Sequence, residues 1–323
     1  MPFKHRSNSR HHIPRAQYRV QNWPAYEAGL KRRGDFTLWL DEAAIARWRA
    51  PRRTTPGGQR RYSNLAIELV LMLRLVFHLA LRQAEGFVGS LLRLLGLDLA
   101  VPDHTTLSRR SGGLAGPRPH VVPHGPLHLV VDSTGLKLFG RGEWQEEKHG
   151  RATRSWRKLH IALDAETGEI VAHALTDKEA DDAGQLPVLL EQVEGEIASV
   201  TADGAYDGEP SYEVVAARQA DPPPDVVIPP RATATPSKTA STDPTRRDHH
   251  IQLIRERGRM AWQKGTNYGR RNLVETGIGR YKSSVGVKLR ARTMVNQRGE
   301  VAVGIEVLNR MIRTAKPISI RIR

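Results

Sequence analysis

The chain has 323 residues, enough for about two domains with a sizeable core. Its 50 Lys and Arg against 34 Asp and Glu give a net charge of +16, which favours a polyanionic partner: nucleic acid first, with an anionic membrane surface as the rival. The absence of Cys excludes disulfides, Cys-based zinc sites and thiol catalysis, and it fits a reducing cytoplasm.

No segment is typical of export or of membrane insertion. The first residues, MPFKHRSNSRHH, lack the apolar stretch of a secretory signal. The most apolar run, residues 65–81, is interrupted by Glu68, Arg74 and His78 and is too short to span a bilayer. We therefore expect a soluble, cytoplasmic protein that does not use a membrane as its partner.

The first third of the chain is predicted to be helical. Residues 1–17 are basic and unpatterned, which predicts a disordered arm, and residues 18–115 carry apolar side chains at helical spacing. Residues 101–112, VPDHTTLSRRSG, predict a short polar helix capped by Asp103 and basic at its end. A polar helix after two apolar ones resembles a helix-turn-helix reader, although short capped helices are common. We interpret 18–115 as a helical DNA-binding domain.

After a linker rich in Gly and Pro, the pattern changes from helical to extended. An apolar strand is predicted at 127–139, followed by a hairpin whose turn ends at Gly168. The order strand, hairpin, helix, strand, helix, strand, helix indicates an α/β domain. We place this domain at 127–313, with an insertion at about 229–262 and a basic tail at 314–323.

Two aspartates are each predicted to follow an apolar strand of this domain. Asp132 follows LHLVV, and Asp203 follows ASVTA. If the two strands are parallel neighbours, both carboxylates emerge at the same edge of the sheet, where such folds bind ligands. Each aspartate also has a structural interpretation, because DSTG and ADGAYDG are good turn sequences.

The segment 267–282, NYGRRNLVETGIGRYK, holds a lone acid on a basic helix. Five cations surround Glu275: Lys264, Arg270, Arg271, Arg280 and Lys282. A helix would place Arg271, Glu275 and Lys282 close to one stripe. This pattern suits a metal-binding group held beside phosphate, and it equally suits a solvated helix with Arg–Glu pairs.

Three carboxylates that converge would have a clear chemical use. Hard oxygen ligands suit Mg²⁺ or Mn²⁺, and two such ions about 3.5–4 Å apart can serve the attacking and leaving oxygens in phosphoryl transfer. Without a metal, close carboxylates repel one another and their pKa values rise. The other candidates are predicted to be structural or surface residues rather than ligands: Asp164, Asp181, Asp182, Asp207, His160 and His173.

Three sequence patterns together resemble one family. VVDSTGLK around Asp132 and TADGAYDG around Asp203 look like its first and second Asp regions. The signature Tyr-x2-Arg-x3-Glu-x6-Lys is matched at every position, by Tyr268, Arg271, Glu275 and Lys282. Over residues 127–282 the chain thus resembles transposases of bacterial insertion sequences of the IS5 type, within the wider IS4-like DDE group. The helical N-terminal part is similar with weaker motifs.

The resemblance implies an RNase H-like mixed sheet, two Mg²⁺ ions (or Mn²⁺), and cleavage and strand transfer at the ends of an insertion sequence. By the same resemblance the metal-binding catalytic residues are Asp132, Asp203 and Glu275. Arg271 and Lys282 would bind phosphate near the scissile bond, and Tyr268 would place the DNA end. The implied partners are terminal inverted repeats, target DNA and a second copy of the chain, in a bacterial nucleoid.

Two other functions compete with transposition. A non-catalytic DNA-binding protein, domesticated or degraded from a transposase, would need only the positive charge. An RNase H-fold nuclease acting on structured DNA or RNA would cleave without strand transfer. The presence of all three acids favours the transposase.

Overall fold

The computed structural model describes residues 17–114, 125–139, 156–218 and 222–322, and a six-stranded mixed sheet lies at the centre of this part of the chain. The strands are β1 (Tyr18–Val20), β2 (Leu127–Leu138), β3 (Trp156–Asp164), β4 (Ile170–Asp177), β5 (Ile197–Thr201), β6 (Asp225–Val227), β7 (Lys288–Leu289) and β8 (Ser319–Arg321). The helices are α1 (Trp23–Arg32), α2 (Glu42–Ala46), α3 (Asn64–Val76), α4 (Leu81–Leu94), α5 (His104–Ser111), α6 (Leu186–Glu191), α7 (Glu209–Ala216), α8 (Arg246–Gly265), α9 (Asn272–Ser284) and α10 (Met294–Thr314).

Five strands of the sheet have the order β4-β3-β2-β5-β6, and the sixth, β7, pairs parallel with β2 beside this row. β3 runs antiparallel to both β2 and β4, whereas β5 runs parallel to β2 and β6 runs parallel to β5. The predicted hairpin is confirmed, and Gly168 in its turn has a φ of 78°, which a residue with a side chain rarely adopts. The parallel β2–β5 pair brings the two aspartate regions to one edge, as the sequence analysis requires.

Alternating side chains of β2 build two cores, one on each face of the sheet. Leu129 and Val131 pack with apolar residues of α6 and α7 on one face. Val130 and Leu136 pack with α9 and α10 on the other. The α9 face therefore carries the side chains of even-numbered β2 residues, and Asp132 is one of them.

The N-terminal helices form a third core, to which α10 also contributes. Trp39 and Trp48 are 1% exposed and anchor this core. Val303 and Val307 of α10 join this cluster, while other residues of α10 pack on the sheet. The spacing of Val301, Ile305, Leu308 and Ile312 predicts one apolar face on this last helix. The helix is instead buried on several sides, because it lies between the N-terminal helices and the sheet.

The terminal segments and one helix differ from what the sequence predicts. Tail residues Ser319–Arg321 pair antiparallel with Tyr18–Val20. Leu186, Leu189, Leu190 and Val193 predict a helix over 180–196. The helix is confined to Leu186–Glu191, with a 3₁₀ turn before it and Gly195 at positive φ beyond it. In the described residues no single helix is long and apolar enough to cross a membrane; α3 and α4 pass that test only as a pair, bent by 108°.

The contact between α10 and α5 leaves no room for a methyl group at Gly299. A Cβ there would lie 2.0 Å from the backbone oxygen of Ser111. We expect Gly299→Ala to lower the free energy of unfolding by about 1–3 kcal/mol, since backbone must move to admit it. Gly279→Ala on α9, where a Cβ meets no atom within 4 Å, should instead stabilise by up to about 1 kcal/mol. Urea denaturation of both variants measures this; equal effects would contradict it.

Candidate active site

Asp132 lies within β2 and does not end it. It pairs with Ile161 of β3, and the pairing continues to Lys137, so both the predicted strand end and the turn interpretation of DSTG are wrong. The partner β5, however, pairs with β2 only as far as Val130. Asp132 therefore still lies at the carboxyl edge of the parallel pair, because β5 has ended beside it.

Asp203 comes two residues after the last residue of β5. Its carboxylate accepts a hydrogen bond from the backbone N–H of Ala205, 2.9 Å away, and so caps the 3₁₀ turn Gly204–Tyr206. The predicted strand before Asp203 is confirmed, and the condition that β2 and β5 are parallel neighbours is met. The turn interpretation is also correct, and it leaves one carboxylate oxygen of Asp203 directed to the neighbouring helix.

Glu275 enters the site from the first turn of α9. The preceding 3₁₀ turn, Tyr268–Arg271, contacts both β2 and β5. α9 then lies close over the sheet, because Gly277 faces Leu163 with no space for a side chain: a Cβ there would be 2.5 Å from the leucine. The predicted helix is confirmed from Asn272 onward.

The guanidinium of Arg271 lies between the three acids. Its Nη2 is 3.0 Å from Oδ2 of Asp132 and 3.8 Å from Oδ2 of Asp203, and its Nη1 donates a hydrogen bond to Glu275. The three carboxylates, which are 71 and 72 residues apart along the chain, thus converge on a single cation. The expected convergence of these side chains is present in the structure.

Burial distinguishes the three acids. The side chain of Asp132 is 14% exposed, whereas that of Glu275 is 56% exposed. Burial raises the pKa of Asp132; Arg271 and the N–H of Ser133 oppose this, and Asp203 and Glu275 add to it. For Arg271, burial alone would lower the pKa, but the adjacent Asp132, Tyr268 and Glu275 raise it overall. The guanidinium therefore compensates a group of carboxylates that would otherwise repel.

Tyr268 and Lys282, the other two signature residues, have different positions. The ring of Tyr268 packs against Trp262, with centroids 5.2 Å apart, one turn before Arg271. Lys282 is in the last turn of α9, about 10 Å along the helix from Glu275. Tyr268 thus lines the site, while Lys282 lies at its periphery.

The donor types at this site suit a divalent cation, although Arg271 occupies the position between them. In their present arrangement, no three His, Asp or Glu side chains of the described residues could hold an ion together. The positively charged Arg271 guanidinium nevertheless already lies within ion-pair distance of Asp132, Asp203 and Glu275, so the three acids share one cationic group. Their oxygens are the donors that Mg²⁺ and Mn²⁺ prefer.

The competing acids have structural partners. Asp164 caps its own turn by accepting hydrogen bonds from Thr167, and Asp207 forms a buried ion pair with Arg247. Asp182 lies 3.4 Å from His160, a fully buried residue of β3. The prediction that these acids and His160 are not part of the candidate site agrees with these positions.

Tyr206 is the residue near the site that the sequence analysis missed. It is 1% exposed, and its hydroxyl has no hydrogen-bond partner among the described residues. Burial raises its pKa, with further contributions from Asp182, Asp132 and Asp203. The sequence contains one indication of Tyr206: it is an aromatic residue within the turn sequence ADGAYDG, and turns do not favour aromatic residues.

Two buried histidines predict a pH dependence of stability. Burial lowers the pKa of His160 and of His250 from 6.5 to about 4. Their contribution to stability is complete above pH 6.5 and is lost as pH falls toward 4, because the unfolded chain binds the protons first. We expect the temperature of the unfolding midpoint to decrease as the pH is lowered from 6.5 to 5. In His160→Gln the same fall should be shallower; an identical pH slope in thermal scans would contradict this.

Two family models match the chain, both described as "Transposase DDE domain". One covers residues 31–141 and the other covers residues 123–308, more than half of the chain. The chain belongs to the transposase DDE domain family. It is therefore an enzyme that acts on DNA, and transposases of this class use divalent metal ions. The first match shows that the helical N-terminal part also belongs to the transposase.

A solved structure is also similar to this transposase. Its title is "Cryo-EM structure of piggyBac transposase synaptic complex with hairpin DNA (SNHP)", and the similarity covers 92% of this chain and 77% of that chain. The sequence identity is 12% and the TM-score is 0.39, a likeness too distant to establish the fold by itself. The fold of this transposase is therefore assigned from its own sheet order and strand register.

Proposed function

We propose that this protein is a transposase of an IS5-type insertion sequence, which cleaves the ends of its element and joins them to target DNA. The observation that carries the proposal is the convergence of Asp132, Asp203 and Glu275 on Arg271. Three acids from two strands and a helix, gathered on a protein with a net charge of +16, suit phosphoryl transfer on DNA.

Asp132, Asp203 and Glu275 are the proposed ligands of two Mg²⁺ ions, with Mn²⁺ as a substitute. Bound ions of this kind supply Lewis acidity to the attacking and leaving oxygens of a phosphoryl transfer. Arg271, when it leaves the carboxylates, is placed to bind a phosphate oxygen through its planar fork of donors. The half-buried Tyr268 would contact and place the DNA end, and Lys282 would bind a phosphate farther along α9.

The wider architecture supports the same proposal. Three antiparallel strands followed by two parallel ones are consistent with an RNase H-like catalytic domain. The helical part would bind DNA through α5, although its basic end is partly engaged: Arg110 donates to the backbone oxygen of Tyr62 and to Asn64. Arg109 and Ser108 remain exposed there. A working complex on two DNA ends requires at least two copies of the chain.

Duplexes carrying the element's own ends test the proposal against its rivals. With Mg²⁺, we expect cleavage at the end followed by joining to a second duplex, and neither product from a scrambled end. Salt-sensitive binding without cleavage would favour a non-catalytic DNA-binding protein. Cleavage of either duplex without joining would favour a nuclease. Inverted repeats that bracket the reading frame would identify the duplex to use.

A further inference from the structure

A basic pocket lies on the N-terminal side of the molecule, between α3, α5 and the start of α10. Its volume is about 430 Å³, which is ample for a phosphate group with part of its sugar. Arg74 on α3 and Arg290 and Arg292 before α10 line it, against one acid, Glu300. This pocket is formed by different elements from those that hold Asp132, Asp203 and Glu275.

Arg74, one of the cations that line the pocket, has a hydrogen-bond donor that no described residue uses. The Nε of Arg74 is buried without a hydrogen-bond partner among the described residues. Glu300 is the nearby acid, but both of its carboxylate oxygens accept backbone N–H groups from the segment at Arg290 and Ala291, at 2.8–3.1 Å. Burial lowers the pKa of Arg74, and Glu300 partly opposes that effect. A largely buried guanidinium whose Nε donor is unused favours an anion.

The walls add neutral donors and the positive end of a helix. Ser108 and Ser111 line the pocket from α5, and Thr293 and Asn296 line it from the first turn of α10. That turn contains no acidic residue, so the helix dipole favours negative charge there, although the Thr293 hydroxyl already accepts a hydrogen bond from the N–H of Asn296. Arg, Ser, Thr and Asn side chains together with a helix N-terminus are the usual donors to DNA phosphates.

We propose that this pocket is an anion site that binds a backbone phosphate of the DNA duplex lying along α5. The proposal rests on the proposed function for its choice of α5 as the DNA-facing helix. Ser108, at the pocket wall, is exposed on α5, so a duplex on this helix brings its backbone to the opening. The pocket thereby fixes the position of the DNA without reading its sequence.

Salt-dependent binding of a duplex of arbitrary sequence, without divalent metal, tests the proposal. Arg292→Gln and Arg74→Gln should each weaken binding at 0.15 M salt by about tenfold and reduce the slope of log K against log salt by about 1. Arg93→Gln, which removes an exposed charge from the last turn of α4, is the matched control and should change either quantity far less. Because Arg74 is largely buried, circular dichroism checks its folding, and the exposed Arg292 gives an independent variant.

Equal effects of Arg292→Gln and Arg93→Gln on duplex binding would overturn the proposal. Inorganic phosphate, titrated in a thermal-shift assay, distinguishes the source of the anion. Protection of wild type by millimolar phosphate, lost in Arg292→Gln, together with unchanged duplex binding would show a site for a free anion and would also overturn it. Since the assay reads binding, a protein that fails to cleave DNA can still support or contradict this pocket.

Discussion

Asp132→Asn and Glu275→Gln should each reduce end cleavage by at least about a thousandfold. Each variant removes the charge of one proposed metal ligand while keeping the shape of the side chain. Divalent ions contribute several kcal/mol to phosphoryl transfer, and each factor of ten in rate corresponds to about 1.4 kcal/mol. Single-turnover cleavage of a labelled duplex with Mg²⁺ measures the loss. Asp132 is the more buried of the two, and its variant should be the more severe.

A control variant must distinguish the loss of a proposed metal ligand from the loss of a carboxylate elsewhere on the protein. Glu256 on α8 is exposed, accepts a hydrogen bond from Gln252 and has no role in the proposed chemistry. Glu256→Gln should cleave at the wild-type rate. DNA binding by all three variants should remain within a fewfold of wild type in low salt, since the acids do not contact phosphate. Cleavage by Asp132→Asn within tenfold of wild type would contradict the assignment.

Arg271→Gln should bind Mn²⁺ more tightly than wild type and yet cleave DNA more slowly. In the DNA-free protein the guanidinium of Arg271 compensates the carboxylates, so an ion must displace it. We expect the Kd for Mn²⁺ without DNA to fall by about tenfold, equivalent to about 1.4 kcal/mol. Cleavage should fall by about 10²-fold, the usual effect of losing one donor to a reacting oxygen. Calorimetric titration and single-turnover cleavage measure the two effects.

The neighbouring Arg270 provides the matched control for Arg271. It pairs with Glu166, 2.9 Å away, and contacts none of the three acids. Arg270→Gln removes the same charge from the same turn, so its Mn²⁺ affinity should stay close to that of wild type. If Arg271→Gln binds Mn²⁺ no better than Arg270→Gln, the guanidinium does not compete with the ion.

The chemistry of the candidate site was more predictable from the sequence than its geometry. The signature in 268–282 predicted a helix that presents Glu275 and Arg271 together, because side chains four residues apart share a helix face. Apolar runs before Asp132 and Asp203 predicted two strands, whereas their parallel pairing was only a condition, which the structure meets. Local patterns therefore identified the residues that the fold brings together.

What the sequence did not predict depends on long-range pairing. DSTG has turn chemistry, yet β3 pairs with it throughout, and the hydrogen-bond ladder overrides the local preference of Asp132. The two-sided burial of α10 depends on where the N-terminal helices dock. The central place of Arg271 was also not predicted, because charge patterning shows a cation near an acid but not three acids around one cation.

Anomalous scattering from Mn²⁺ in crystals of the protein bound to its end DNA tests the central claim most directly. The account predicts an ion within about 2.0–2.3 Å of carboxylate oxygens of Asp132 and of Asp203 or Glu275, with Arg271 turned to a phosphate oxygen. Mn²⁺ bound elsewhere, with Arg271 still between the three carboxylates beside a correctly placed DNA end, would contradict it.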